Sequence, residues 1–273
     1  MTQDRLNETF NRLRAQGATG LIPYVTVGFP DVETTLELVP ALVQAGADIV
    51  ELGVPFSDPL AEGTTIQQAT FHSLAQGVTL KRCLEVCSTL RERGIEVPLV
   101  LMGYYNTILA MGLEEYARRA AEAGVDGTIV VDLPAEESGP LATACQSTGV
   151  HLIPLLAPTS TDERIEKACA KASGFIYVVS VTGVTGAREN VPVDLPSMVQ
   201  RVRAHTQLPI AVGFGLSRRE HILKVGKVAD AAVVGSALVN VIAATAQGEA
   251  VSQAAAFIAE LSGTTLSATR GAV

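Results

Sequence analysis

Long apolar runs are missing from this 273-residue chain: none approaches the roughly 18 residues that cross a bilayer as a helix. Positive charge is also scarce, with 20 Lys and Arg against 28 Asp and Glu and a formal net charge of −8. That balance excludes the basic patches that nucleic-acid phosphates and anionic membrane surfaces demand. The opening residues, Met-Thr-Gln-Asp-Arg-Leu-Asn-Glu, are polar and hold no signal-peptide core. A soluble, cytoplasmic chain is the expectation. Cysteine is sparse, and Cys83 and Cys87, four apart in an amphipathic helical pattern, have no histidine or second cysteine pair to complete a metal set. These cysteines read as packing residues, and the scattered His72, His151, His205 and His221 read as structural or surface groups; no bound metal is expected. No Gly-x-Gly-x-x-Gly follows the first apolar strand, which counts against a dinucleotide-binding open sheet. No linker or low-complexity stretch divides the chain, so residues 1–273 are expected to form a single domain.

What the chain does hold is one repeated phrase: apolar strand, turn, amphipathic helix, glycine, next strand. Gln44-Ala-Gly-Ala-Asp-Ile-Val-Glu-Leu52 and Glu122-Ala-Gly-Val-Asp-Gly-Thr-Ile-Val130 are near copies. In each, a glycine is placed to close the last helical turn in the left-handed region, and Gly94, Gly149 and Gly174 are expected to do the same. The strands predicted are Leu21–Val27, Asp48–Val54, Pro98–Tyr104, Gly127–Leu133, His151–Ala157, Phe175–Val181, Pro209–Phe214 and Ala231–Ser236. Most are continuous apolar runs, as parallel strands covered on both faces require. Helical patterns such as Leu80–Arg93 and Leu113–Ala123 lie between them, and Pro40 is expected to kink the helix between the first two strands. About eight strand–helix units in this length predict an α/β fold of the closed (β/α)8 TIM-barrel type. Leu6 to Leu13 read as an extra N-terminal helix that plugs the barrel bottom. A doubly wound open sheet is the alternative.

Barrel sites lie at the C-terminal strand ends. Those ends collect Glu51 with the Pro55–Gly63 loop, Tyr104-Tyr-Asn106, Asp132, Tyr177, and three glycine-rich stretches: Thr182-Gly-Val-Thr-Gly-Ala187, Gly213-Phe-Gly215 and Gly235-Ser236. Glycines crowded after the sixth, seventh and eighth strands let backbone N–H groups close on a phosphate, aided by a helix N-terminus at Ser236. Tight-turn glycines with no ligand are the plainer reading of any one loop. Glu51 shares a strand face with Ile49 and Gly53, while Val50, Leu52 and Val54 share the other. None of the predicted strands carries Lys or Arg. That excludes a strand-borne Schiff-base lysine and leaves Glu51 without a cation. Desolvation then raises its pKa and suits it to be a general acid near neutral pH. A structural glutamate held by hydrogen bonds is the alternative. Tyr104 and Tyr177, with polar tips at strand ends, read as pocket lining rather than core aromatics.

The run Asp48-Ile-Val-Glu-Leu-Gly-Val-Pro-Phe-Ser-Asp-Pro-Leu-Ala-Glu-Gly63, followed by Thr65-Ile-Gln67, resembles the signature of the tryptophan synthase alpha subunit family. Tyr104-Tyr-Asn106, Asp132-Leu-Pro-Ala-Glu-Glu137, Gly183-Val-Thr-Gly-Ala187 and Gly213-Phe-Gly215 continue the likeness in order along nearly the whole chain. The resemblance implies a barrel that cleaves indole-3-glycerol phosphate to indole and glyceraldehyde 3-phosphate, with no cofactor of its own. It implies a partner, the pyridoxal-phosphate-dependent beta subunit, in an alpha-beta-beta-alpha complex. It makes Glu51 the catalytic glutamate, Glu62 the second carboxylate and Tyr177 their neighbour. Gly186, Gly213, Gly215, Gly235 and Ser236 would hold the phosphate, with Thr185 on a lid spanning Gly183–Asn190. Tyr24, Ile66 and Ile129 would touch the indole, and Asp58, Pro59 and Asn106 would face the partner. Glu62 and Thr64 depart from the usual aspartate and proline, which lengthens the second acid and frees its loop backbone. A catalytically weak, partner-activating subunit and a free-standing lyase are the alternatives within this likeness. A sugar-phosphate isomerase or epimerase is the alternative outside it.

Overall fold

The protein is seen as a computed structural model describing residues 4–179, 194–213, 215–246 and 248–265. Nine short strands pair in parallel throughout: β1 Gly20–Thr26, β2 Val50–Gly53, β3 Leu99–Gly103, β4 Gly127–Val130, β5 His151–Ile153, β6 Leu155–Leu156, β7 Ile176–Val179, β8 Ile210–Gly213 and β9 Ala231–Val234. Their order is β5-β4-β3-β2-β1-β9-β8-β7-β6. The two outermost members, β5 and β6, are consecutive in the chain and separated only by Pro154. Proline has no N–H for the ladder, so the predicted strand His151–Ala157 is split there. The Pro154 carbonyl still accepts the Tyr177 N–H at 3.0 Å. The sheet thus closes on itself, and the fold is the (β/α)8 barrel expected from the eight-unit repeat.

Alternation along the strands sorts the side chains as predicted. Ile22, Ile49, Val100, Ile129, Ile153, Phe175, Ala211 and Ala231 fill the barrel interior, and Leu6, Phe10 and Leu13 of the helix Arg5–Gln16 seal its base. Val50, Leu52 and Val54 face the surrounding helices instead. Cys83, Cys87 and Cys145 are buried free thiols in that outer layer. Helices Leu80–Glu92 and Leu113–Glu122 each end one residue earlier than expected. Pro40 lies inside the helix Val32–Gln44, which runs on through it. Gly94, Gly149 and Gly174 have φ of +83°, +80° and +75°, the left-handed geometry expected at helix ends. No helix among the described residues is long and apolar enough to cross a membrane.

The Ala-Gly-x-Asp repeat has a structural use. Each of its aspartates, and one relative, stands just before a strand and accepts the N–H of a residue in the neighbouring strand. Asp48 accepts from Leu21 at 3.1 Å, Asp126 from Leu99 at 2.8 Å and Asp230 from Ile210 at 2.8 Å. Each is paired with arginine: Arg12 with Asp48, Arg5 and Arg91 with Asp126, and Arg203 with Asp230. Arg91 also donates to the carbonyls of Gly124 and Val97, at 2.9 and 2.8 Å. Removing this guanidinium leaves a buried carboxylate half compensated. Arg91→Met should lower unfolding free energy by on the order of 3 kcal/mol, read from the midpoint and slope of urea denaturation. A loss under about 1 kcal/mol would show the network to be dispensable.

Candidate active site

Glu51 sits inside the barrel, at the level of Tyr24 on β1 and Val100 on β3. It is 1% exposed, and no ion pair reaches it among the described residues. Its Oε2 is buried without a hydrogen-bond partner. Burial raises its pKa from the ordinary 4.5 to about 8, and the charge of Glu62 adds to the rise. Glu62 lies on the loop after β2 yet is only 8% exposed, and its Oε2 is likewise buried and unpartnered. Burial moves it to about 7. Glu62 therefore ionises first, and its charge then holds the proton on Glu51. Near neutral pH the pair carries one acid and one carboxylate.

That loop is fastened from two sides. Gln67, in the helix Thr64–Ala75, donates its side-chain amide to the carbonyls of Pro59 and Glu62, at 3.2 and 3.1 Å. The Tyr104 oxygen accepts the Ala61 N–H at 3.1 Å, and its ring stacks on Phe56 with centroids 4.6 Å apart. Tyr104, expected as pocket lining, spends its hydroxyl on this loop. Thr64 begins the helix at a position where proline is favoured; the backbone freedom lost to proline elsewhere is here restrained by Gln67 and Tyr104.

Two glycines make room for phenols. A Cβ on Gly53 would lie 2.1 Å from the Tyr24 oxygen, and one on Gly213 would lie 2.4 Å from that of Tyr177. Neither glycine tolerates a side chain while those rings stay in place. Gly213, expected at the phosphate, seats Tyr177, on which Glu51 is the leading charge. Sequence reasoning missed Gly53 in this role, although it shares the inward face with Glu51. It also missed Thr26, the inward neighbour of Tyr24, and the half-buried inward side chains Met102, Val131, Leu155 and Val179 that rim the pocket. Strict alternation carried that signal.

The other expected site residues divide as follows. Gly215 has φ +44°, and Gly235 links β9 to the helix Ser236–Ala244, whose positive end opens at Ser236. A Cβ on Gly235 would meet Tyr24 and Ile66 at 3.7 and 3.8 Å, so this anion-suited corner adjoins the aromatic pocket. Ile66 packs against Tyr24 there, while Ile129 is fully buried deeper in the barrel. Asp58 and Asn106 are exposed and Pro59 is buried. Leu60 beside them is 90% exposed and Leu109 55%. Thr185, Gly186 and the Gly183–Asn190 segment lie outside the described residues. Among the described residues no three His, Cys, Asp or Glu side chains gather as a metal set. His151 pairs with Asp4, and His72 meets the Pro30 carbonyl and the Phe29 ring.

A closed parallel barrel, with two buried carboxylates free of ion pairs at its mouth beside a glycine-lined helix N-terminus, has the make-up of a barrel enzyme. Comparison narrows the class. The family profile described as tryptophan synthase alpha chain matches residues 10–266. The tryptophan synthase alpha chain of Roseiflexus castenholzii is 52% identical over 259 residues, 95% of this chain and 99% of that one. That of Chloroflexus aggregans is 50% identical, covering 94% and 97%. The crystal structure of the alpha subunit from Legionella pneumophila superposes with a TM-score of 0.86 at 34% identity, covering 96% of this chain and 98% of the other. A chain of the tryptophan synthase a2b2 complex of Pyrococcus furiosus does so with 0.84 at 39%, covering 89% and 98%. The chain belongs to the tryptophan synthase alpha chain family.

The two buried acids oppose stability. With folded values of about 8 and 7 against 4.5, neutral burial favours the fold fully below about pH 4.5, and that contribution is lost as pH rises through the folded values. Glu51→Gln should therefore stabilise the protein near pH 8 by on the order of 3 kcal/mol, with the gain shrinking toward pH 5. Thermal melts across that range check it; a variant that melts below the parent at the alkaline end would show that Glu51 has a stabilising partner.

Proposed function

We propose that Glu51 is the proton donor in the reaction of this family, the cleavage of indole-3-glycerol phosphate to indole and glyceraldehyde 3-phosphate. As a family member the chain is a carbon–carbon lyase. The observation that supports the role is the placement of Glu51: inward, buried and unpaired at the mouth of the barrel. Proton transfer from Glu51 to indole C3 converts the ring to an indoleninium. The glycerol hydroxyl next to the ring then loses its proton, the C–C bond breaks, and its electron pair returns to the ring while the hydroxyl carbon becomes the aldehyde. Glu51, ionised by the first step, is the base for that hydroxyl. Glu62, the acid that ionises first, faces the ring nitrogen and stabilises the positive charge that develops there. Tyr177 stands beside Glu51. Tyr24, Ile66, Tyr104 and Ile129 shape the ring pocket, with Ile129 as its buried floor. Gly213, Gly215, Gly235 and Ser236 receive the phosphate, joined by Thr185 and Gly186, and the Gly183–Asn190 segment closes over it.

The partner in this reading is a beta subunit that carries pyridoxal phosphate and receives the indole. Two exposed leucines, Leu60 and Leu109, flank the exposed Asp58 and Asn106 on the same rim as the Glu62 loop. Large apolar side chains exposed in this way are suited to a protein surface rather than to water. Pro59 contributes through the loop that it shapes. Indole release measured with and without a beta subunit separates this lyase from a chain whose main work is partner activation.

Glu51→Gln should cut indole release by on the order of 10³-fold or more, while glycerol phosphate affinity, measured by calorimetry, changes little. Near-normal cleavage would remove Glu51 from the mechanism. The pH dependence of kcat/KM should be a narrow bell. Activity rises through about 7 as Glu62 ionises and falls through about 8 as Glu51 loses its proton. Initial rates of indole release across that span check it, and a flat profile would contradict the division of roles.

A further inference from the structure

Gln67 has a side chain that neither the ring pocket nor the phosphate corner uses. It stands near the start of the helix Thr64–Ala75. Helical side chains lean toward the helix N-terminus, so from this position Gln67 reaches back over the loop that bears Glu62. Its Nε2 carries two hydrogens and donates to the carbonyls of Pro59 and Glu62, at 3.2 and 3.1 Å. The Glu62 N–H also bonds to the Pro59 carbonyl, at 3.1 Å. One amide thus joins both ends of the turn Pro59–Glu62. Gln67 is itself held in place. The adjacent Ile66 packs against Tyr24, and the Gln67 N–H bonds to the Gly63 carbonyl at 2.9 Å.

The turn carries its side chains in two directions. Leu60 is 90% exposed, while Glu62, two residues on, is 8% exposed. The carboxylate does not hold itself there. Its Oε2 has no hydrogen-bond partner, and the titratable groups around it are Glu51 on β2, Tyr24 on β1 and Tyr104 beyond β3, none of them a cation. Glutamate has one more rotatable bond than aspartate, and Thr64 leaves the backbone freer than proline would. The placement of Glu62 therefore falls to its backbone, and Gln67 grips that backbone at the carbonyl of Glu62 itself.

We propose that Gln67 is the positioning residue of Glu62: by tying Pro59 to Glu62 it keeps the second acid turned into the barrel mouth, within reach of the ring. With the tie cut, the turn opens to water and the acid leaves its enclosure. Burial holds Glu62 at about 7, and solvation takes it back toward 4.5. The inference rests on the reading of Glu62 as the second acid.

Gln67→Met tests it, since methionine keeps the length of the side chain and removes both donors. Indole release by the full chain is followed across pH. KM should stay within about twofold while kcat falls about tenfold. The low-pH limb of kcat/KM should move down by about one pH unit, because a solvated Glu62 ionises more readily. Tyr104→Phe cuts the tie to the Ala61 N–H in the same turn. It should move that limb the same way, and it carries the test should Gln67→Met fail to fold. Adding Gln67→Met to Glu62→Gln should cost nothing further. A wild-type kcat with an unmoved limb in Gln67→Met overturns the inference. An equal loss from Gln67→Met in the Glu62→Gln background also overturns it, because the tie would then serve something other than Glu62. Wild-type activity in Glu62→Gln alone overturns the reading of Glu62 itself.

Discussion

A carboxyl group buried without a cation is the constraint around which this barrel is arranged. Glu51 is 1% exposed and has no basic partner among the described residues. A lysine or arginine on a neighbouring strand would make it an ordinary ion pair and pull its pKa down. The strands carry none, and the anion corner suggests the same economy of positive charge. Backbone N–H groups near Gly215 and Gly235 and the dipole of the helix Ser236–Ala244 can attract a phosphate with partial charges that fall off within a turn. A lysine placed there for the phosphate would also act on the acid across the same pocket.

Four full positive charges stand at the opposite end of the strands. Arg5, Arg12, Arg91 and Arg203 all pair with aspartates that precede strands, and those aspartates hold the N–H groups at the strand starts. The two ends thus use carboxylates in opposite ways. At the base Asp48, Asp126 and Asp230 are paired with arginine and bonded to backbone. At the mouth Glu51 and Glu62 have no ion pair among the described residues, and burial raises their pKa values. Division of a barrel into a stabilising end and a reactive end is general; here it is also a difference in how these five carboxylates are held.

Much of this was legible in the residues. The strand–helix phrase repeats openly enough to give the barrel, and alternation put Glu51 on one face with Ile49 and Gly53, the face that the structure turns inward. The split at Pro154 was visible as a proline in a strand but its effect on the sheet was not, because closure depends on both neighbouring strands. Burial of Glu62 was not legible either. A carboxylate on a loop is ordinarily solvated, and this one is buried because Gln67 and Tyr104, five and 42 positions further along, tie its loop down. Gly53 and Gly213 carried an ambiguous signal. Glycine at a strand end serves a phosphate or a bulky neighbour equally well, and only the positions of the Tyr24 and Tyr177 rings decide.

The difference between the two acids then follows from depth. They are the same residue type, eleven positions apart, in one apolar enclosure. Glu51 belongs to the sheet and cannot move outward without breaking the β1–β2–β3 pairing that fixes its backbone. Glu62 belongs to a loop and is less deeply enclosed, so water reaches it more readily and it yields its proton first. Once it has done so, its charge acts across the low-dielectric pocket on Glu51 and delays the second ionisation. A single enclosure therefore holds one protonated acid and one anion near neutral pH without any cation to tell them apart. What separates them is a difference in burial, set by whether each side chain is carried by a strand or by a tethered loop.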